Sequence, residues 1–404
     1  MRHAKRLLGF ALLPALSMLA SLVLLPLISQ RFGSSGWVAL GLGQSIGALV
    51  SVIVGMAWPI IGGDAVARAD GLPARRSLYR SSTYSRLVLL AVMLLMACPL
   101  TAIAADGYRL TTTLFMVGIS LNGLTAAWYF AGVGEPRHLV VNEGVTRLAG
   151  YALALGGMLI GAPLIWYAAA TVLSGGTAVA LNWFTIMGMS AFRSPGGWTT
   201  AVQVIREQFR GTVSRLLQAA FTFGGPSIFA VVAPMQLPIF TAIDQVQKAG
   251  NNTLNFLPQA FIQWVGLAEN HQRRSRMTRC VYLMAIACAS LIPVWLLVGP
   301  VAFRFLFAGQ VRLPLWGHLL LILAIAAILF NASIELLLLI PLGFSRVVYL
   351  GNSVASLLGI ALVGLGALLY GPFGAVAAWI SVHVLLLVYY LNQLARRHTV
   401  RREA

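Results

Sequence analysis

The stretch Leu87-Val-Leu-Leu-Ala-Val-Met-Leu-Leu-Met-Ala-Cys-Pro-Leu-Thr-Ala-Ile-Ala-Ala105 runs without a single charged residue. At about 1.5 Å rise per residue, a helix of that length covers most of the roughly 30 Å hydrocarbon core of a bilayer. Directly before it stand Arg68, Arg75, Arg76, Arg80 and Arg86. An apolar run with a basic shoulder on one side predicts a membrane-spanning helix whose shoulder stays in the cytoplasm.

Runs of the same kind recur along the chain, near 7–28, 37–61, 87–105, 111–133, 138–161, 164–188, 216–236, 238–266, 280–302, 313–340, 347–369 and 373–394. The fold class that follows is an all-α polytopic membrane protein of about twelve transmembrane helices. The composition agrees, with 59% hydrophobic and 9% charged residues and a mean hydropathy of +0.85, outside the range of soluble domains. Of the 28 Lys and Arg residues, 23 fall on alternate connections: Arg2 to Arg6, Arg68 to Arg86, Arg137 and Arg147, Arg193 to Arg215, Arg273 to Arg279, Arg346, and Arg396 to Arg402. Basic residues are retained inside during insertion, which places both termini in the cytoplasm. The longest polar stretch, opened by Arg193-Ser194-Pro195-Gly196-Gly197, divides the runs into two sets of six. Three regions are therefore expected: an N-terminal six-helix lobe over 1–190, a cytoplasmic linker over 191–215 and a C-terminal six-helix lobe over 216–404. Within the linker, Trp198 to Phe209 has the pattern of an amphipathic surface helix. Six spans return the chain to its starting side, so the lobes enter in the same orientation, as in transporters built from parallel repeats around a central cavity.

Several functions are excluded by what surrounds these runs. The net charge of +18 would suit nucleic acid, but the basic residues are spread over short loops beside spans, where anionic lipid headgroups are their natural partners. Cys98, Cys280 and Cys288 lie inside spans without paired spacing and read as packing residues, neither disulfide nor metal ligands. There is no phosphate-binding glycine loop followed by Lys, no H-E-x-x-H and no C-x-x-C. The nearest glycine cluster, Gly41, Gly43 and Gly47, sits within the second span and fits close helix packing. No catalytic residues, cofactor or metal site emerge, and no outside loop is long enough to hold an active site, so the chain is not read as an enzyme.

The sharpest local feature is a polar row in the eighth span, where Asp244, Lys248, Asn251, Asn255 and Gln259 recur at intervals of 4, 3, 4 and 4. At about 100° per residue these share one helix face. A Lys or Asp at the bilayer centre costs about 2.5–3.5 kcal/mol, so the row is expected to face a water-filled cavity rather than lipid. The competing reading is that Asp244 and Lys248 merely neutralise each other and join helices. Gly250 and Pro258 predict a bend in this span. Among other candidates, Arg31 closes the first span and either attracts an anionic headgroup or is an interfacial anchor. Asn331 and Glu335 are one turn apart in the tenth span, and Glu335 is a proton-carrier candidate. Gln44 and Asn122 read as interhelical hydrogen bonders.

Three stretches carry a family resemblance. They are Trp128-Tyr-Phe-Ala-Gly-Val-Gly-Glu-Pro-Arg137 leading to Asn142-Glu-Gly-Val-Thr-Arg147, the segment Leu237 to Gln259, and Val301-Ala-Phe-Arg-Phe-Leu-Phe-Ala-Gly309 with Leu313 onward. With the twelve-span plan, they make the chain resemble the polysaccharide-unit (Wzx-type O-antigen) flippases of the MATE/MOP exporter superfamily. The resemblance implies export of a polyprenyl-pyrophosphate-linked oligosaccharide across a bacterial inner membrane by alternating access. On that reading Lys248 with Arg31 attracts the pyrophosphate, Asn251, Asn255 and Gln259 bind sugar hydroxyls, and Asp244 or Glu335 binds H⁺ or Na⁺. One departure is that the N-terminal lobe offers only Arg31 away from the cytoplasmic loops, where the family often buries several cationic residues. The alternatives are a MATE-like drug/cation antiporter and a membrane glycan polymerase.

Overall fold

The computed structural model describes residues 2–105, 107–188, 198–255, 257–258, 261 and 270–403. They are helical almost throughout, with no strand among them. The helices are α1 (Arg2–Gly55), α2 (Trp58–Arg68), α3 (Gly71–Ala104), α4 (Arg109–Ser120), α5 (Ala127–Val133), α6 (Pro136–Leu139), α7 (Thr146–Leu159), α8 (Ile165–Met187), α9 (Trp198–Phe223), α10 (Gly225–Val232), α11 (Leu237–Leu254), α12 (Asn270–Leu306), α13 (Leu315–Ile334) and α14 (Ser345–Glu403).

Two of these are hairpins. α1 leaves helical geometry at Gly33 (φ 64°, ψ −162°) and α14 does so at Gly371 (φ 63°, ψ −146°), conformations that a side chain disfavours. At the second turn the chain doubles back so tightly that a Cβ on Gly366 would lie 2.5 Å from the Gly374 carbonyl oxygen. In a straight helix those residues would be about 12 Å apart. Near the first turn, a Cβ on Gly36 would lie 3.4 Å from Ile28. Each hairpin thus holds two of the expected spans.

Among the described residues, seven helical segments are long and apolar enough to cross a bilayer, two of them being these hairpins. The pair Arg215–Phe223 and Gly225–Val232, bent by 61°, makes an eighth. α7 and α11 occupy the two remaining positions where spans are expected. Large apolar side chains stand exposed on the spans, among them Leu95, Ile103 and Leu297, each at 78–79%. Water would penalise such a surface, and acyl chains would not. The chain is an all-α polytopic membrane protein.

The chain forms two compact units, Met1–Ala230 and Val231–Ala404. The first is centred on Val50, Val54, Leu90, Met116 and Leu124. There α1 and α4 approach backbone to backbone, since a Cβ on Gly43 would lie 2.7 Å from the Thr112 carbonyl and one on Gly47 2.6 Å from that of Met116. The second has a core of Met277, Cys280, Met284, Leu329 and Leu337. All three cysteines are free, and Cys280 and Cys288 are buried.

Three local expectations are revised. The amphipathic segment from Trp198 does not end near Phe209: it continues as one helix to Phe223 and packs on α1 and α3. It spans the break between α1 and α2, where Met56 takes a positive φ of 52°. The Ala57 N–H donates to Gln208 Oε1 at 3.1 Å, and Arg215 Nη1 donates to the Met56 carbonyl. One helix thereby satisfies both backbone groups that the break exposes. The eighth span is interrupted: α11 stops at Leu254 and the chain turns at Asn255, with Leu257 and Pro258 helical again, so the expected bend falls there, and most of 259–266 lies outside the described residues. Pro258 lies four residues beyond, where its ring would clash with the Leu254 carbonyl of a continuing helix. Finally, Arg86, grouped above with the basic loop, is 1% exposed.

Candidate functional site

α11 carries a row of polar side chains, and its docking explains how that is tolerated. Phe240 meets Trp379 of α14 with ring centroids 5.5 Å apart. Gly250 lets α11 sit against α13, since a Cβ there would lie 3.0 Å from Ile325. With its apolar contacts fixed on these neighbours, the helix carries its polar row into a buried position. Lys248 Nζ donates to Asp244 Oδ2 at 2.6 Å, and the two side chains are 7% and 1% exposed. Taking both charges out of water costs several kcal/mol per ion, and the close pair offsets this only partly.

The remaining polar atoms of the row are more informative. Thr241 Oγ1, Asp244 Oδ1, Gln247 Oε1 and Asn251 Oδ1 are all buried and have no hydrogen-bond partner. Nearly all buried polar atoms in proteins are bonded, and each orphan costs about 1–3 kcal/mol. Four on successive turns of one helix form a ladder of oxygens that can accept hydrogen bonds from hydroxyls, ammonium groups or water, or approach a cation. Thr241 and Gln247 were not singled out from sequence. Both fit the row's spacing, each lying three residues from Asp244.

The other candidates fall as follows. Asn255 is half-buried in the turn beyond α11, its N–H bonded to the Asn251 carbonyl at 2.9 Å. Gln259 lies outside the described residues. Glu335 opens a π-helical turn over Glu335–Leu339 and accepts from Tyr390 Oη at 2.8 Å and Asn352 Nδ2 at 3.1 Å. It shares no hydrogen bond or ion pair with Asp244. Asn331 Nδ2 donates to the His383 carbonyl at 2.8 Å, while its Oδ1 has no partner. In the first unit, Arg31 is exposed and donates to the Met158 carbonyl in the last turn of α7. A cation there complements the helix dipole. Asn122 accepts from Arg147 Nη2 at 2.8 Å, the interhelical role expected of it.

A second polar network, in the first unit, was missed. Glu143 lies in a π-helical turn over Val140–Val145. Its carboxylate accepts from Thr125 Oγ1, from the Ala126 N–H at 2.9 Å and from Asn182 Nδ2 at 3.0 Å. Asn142 joins it through Asn182 Oδ1 and Thr185 Oγ1, both at 3.1 Å. Arg86 Nη1 donates to the Thr125 and Gly123 carbonyls at 2.9 and 3.2 Å. The available signal was Glu143 itself, a charge inside a segment read as a span. No group of three His, Cys, Asp or Glu among the described residues could hold a metal ion.

No protein-family model matches the chain, and no curated protein matches it in sequence. Solved structures do. An inward-facing multidrug resistance MATE family transporter of the MOP superfamily aligns over 96% of both chains with a TM-score of 0.69 and 12% identity. A eukaryotic MATE transporter aligns over 98% of this chain and 96% of its own, with a TM-score of 0.63 and 14% identity. A MOP superfamily transporter from Pyrococcus furiosus, described as having a binding pocket of reversed polarity that suggests a different function, aligns over 96% and 95% with a TM-score of 0.54 and 12% identity. At these identities the likeness establishes the fold, that of the MATE transporters.

Proposed function

We propose that this protein is a transporter working by alternating access, and that its cargo is a polyprenyl-pyrophosphate-linked oligosaccharide carried across a bacterial inner membrane. The observation that carries the reading is the row of unpartnered buried oxygens on α11 beside the Asp244–Lys248 pair. A helix in a membrane has no use for such a row unless a polar ligand or water meets it. Sugar hydroxyls are donors and suit the oxygens of Thr241, Gln247, Asn251 and Asn255. Gln259 joins them as a partner for sugar hydroxyls, and Lys248 supplies a cationic group for the pyrophosphate. An outward-moving anion would be favoured by about 2.3 kcal/mol per charge per 100 mV of inside-negative potential. Asp244 and Glu335 are the candidates for H⁺ or Na⁺ coupling, and the short connections on both sides support a carrier over an enzyme.

A second reading has its own support. Unpartnered oxygens also suit a cationic drug, and neighbouring folds include multidrug resistance transporters. One strain distinguishes the two: a deletion strain complemented with wild type, Asn251→Ala or Gln247→Ala. Glycan export predicts that surface glycan is lost on deletion and falls at least tenfold in the variants, with drug sensitivity unchanged. Unchanged glycan with heightened sensitivity to cationic drugs would replace the first reading by the second.

A further inference from the structure

In the second unit, α13 and the second arm of α14 meet along two polar rungs. At one, Glu335, in the turn after α13, accepts from Tyr390 Oη at 2.8 Å. At the other, Asn331 Nδ2 donates to the His383 carbonyl at 2.8 Å and lies 3.2 Å from His383 Nδ1. A carbonyl only accepts, so this bond settles which way the amide points: its NH₂ group meets His383 and its Oδ1 does not. The amide nitrogen has hydrogens to give and no lone pair to offer. His383 Nδ1 is therefore the bare, accepting nitrogen, and the ring is neutral with its proton on Nε2. Asn331 is 3% exposed, and its Oδ1 is buried without a partner. Both of its printed bonds run from the NH₂ group to one residue, while a buried acceptor stands idle. For a residue that only joins two helices, that arrangement is costly.

We propose that Asn331 and His383 form a proton-operated amide switch, independent of what the row on α11 transports. His383 is half-buried, so a proton can reach its ring. Once Nδ1 is protonated it becomes a donor facing the donors of Asn331, and that contact cannot persist. Half a turn about the last side-chain torsion of Asn331 exchanges NH₂ and Oδ1. The charged Nδ1–H then donates to Oδ1, a charge-assisted bond that satisfies the idle acceptor. The His383 carbonyl loses one donor, but it lies inside α14, where the N–H four residues on is its ladder partner. Neutral, the pair presents an oxygen at the buried position on α13; protonated, it presents an NH₂ group. On the elements packed around His383, the titratable and charged groups are His318 and Glu335 on and after α13, Asp244 and Lys248 on α11, and Tyr389 and Tyr390 on α14. Glu335 is engaged by Tyr390 and Asn352, and Asp244 by Lys248, which leaves the Asn331 amide as the group that answers a proton on Nδ1.

The test uses the full chain in lipid nanodiscs with isotope-labelled histidine and asparagine, followed by nitrogen NMR. The His383 and Asn331 signals are assigned by their loss in His383→Gln and Asn331→Asp. Near neutral pH, His383 should show a bare Nδ1 and a protonated Nε2. As the pH is lowered from about 8 to about 3.5, both ring nitrogens should take imidazolium shifts, and the Asn331 NH₂ signal should move with the same midpoint. Glu335→Gln should leave that movement in place, and His383→Gln should abolish it. Asn331→Asp keeps the shape and turns an acceptor toward Nδ1 from the start, so the His383 transition should occur at a proton concentration at least about tenfold lower. This variant keeps the test decisive if His383→Gln does not fold. A proton on Nδ1 at neutral pH overturns the proposal, as does a His383 ring that stays neutral throughout. An Asn331 signal that ignores His383 or follows Glu335, or an unchanged transition in Asn331→Asp, overturns it equally.

Discussion

Replacing Lys248 by Met removes an ammonium and leaves a chain of similar length, so the perturbation is almost purely electrostatic. In the structure it strips Asp244, 1% exposed, of its ion-pair partner at 2.6 Å, and the carboxylate already has one unpartnered oxygen. Breaking one side of a buried pair costs about 3–5 kcal/mol, because an uncompensated charge remains. That is a shift of about two to three and a half decades in the folding equilibrium, given about 1.4 kcal/mol per tenfold change. Asp244→Asn alone should also destabilise, by replacing the carboxylate that Lys248 Nζ meets at 2.6 Å with a neutral amide. The double variant Asp244→Asn/Lys248→Met carries neither charge and should recover most of the loss, with a coupling energy of about 3 kcal/mol or more, at the upper end for contacting residues. Unfolding of the four proteins, measured in the same detergent by steric trapping or denaturant titration, gives the cycle. Costs that simply add would refute the claim that the pair is energetically buried. The same four proteins separate glue from site. If the pair only joins helices, the double variant is stable and still transports. If the two charges meet the cargo or the coupling ion, it is stable and transport is lost.

Two further outcomes follow from the packing. Gly47→Ala should cost about 1–3 kcal/mol by overpacking, because its Cβ would lie 2.6 Å from the Met116 carbonyl, whereas Gly156→Ala, with nothing within 4 Å, should be neutral or gain about 0.5–1 kcal/mol. Thermal unfolding in detergent measures both, and equal effects would contradict the close approach of α1 and α4. Gln208→Ala should release the Ala57 N–H and Arg215→Ala the Met56 carbonyl, each costing about 1–3 kcal/mol locally. Hydrogen exchange should then rise at residues 56–60 and remain unchanged in α8; protection at the break identical to wild type would mean that α9 does not brace it.

The relation between residue pattern and structure can be followed through particular helices. Gly33 and Gly371 stand between apolar runs, and the reversals occur there, because a glycine permits the positive φ that a tight turn requires. The row on α11 was equally plain, since a 3.6-residue period puts Asp244, Lys248 and Asn251 on one face wherever the helix lies. Pro258 was expected to bend this span, and α11 does break at Leu254, whose carbonyl the Pro258 ring would meet in a continuing helix. Arg86 was placed among loop arginines because basic residues beside an apolar run usually remain in water. Only the approach of the segment 121–125 supplies the carbonyls of Gly123 and Thr125 that draw it inside. Glu143 escaped notice for the same reason, since its partners Thr125 and Asn182 are distant in sequence.

Hydrophobic runs, their lengths and the placement of charge are local properties, and the bilayer acts on them directly. The chain alone therefore determined that this is a polytopic helical protein, where its spans lie and which helix carries the polar row. Which polar atoms on that row stay unsatisfied, which arginine is buried, and how α9 braces the break at Met56 depend on contacts between residues far apart in the chain. Such contacts exist only once helices pack, because hydrogen bonds and close approaches are set by distances of a few ångströms that no local pattern encodes.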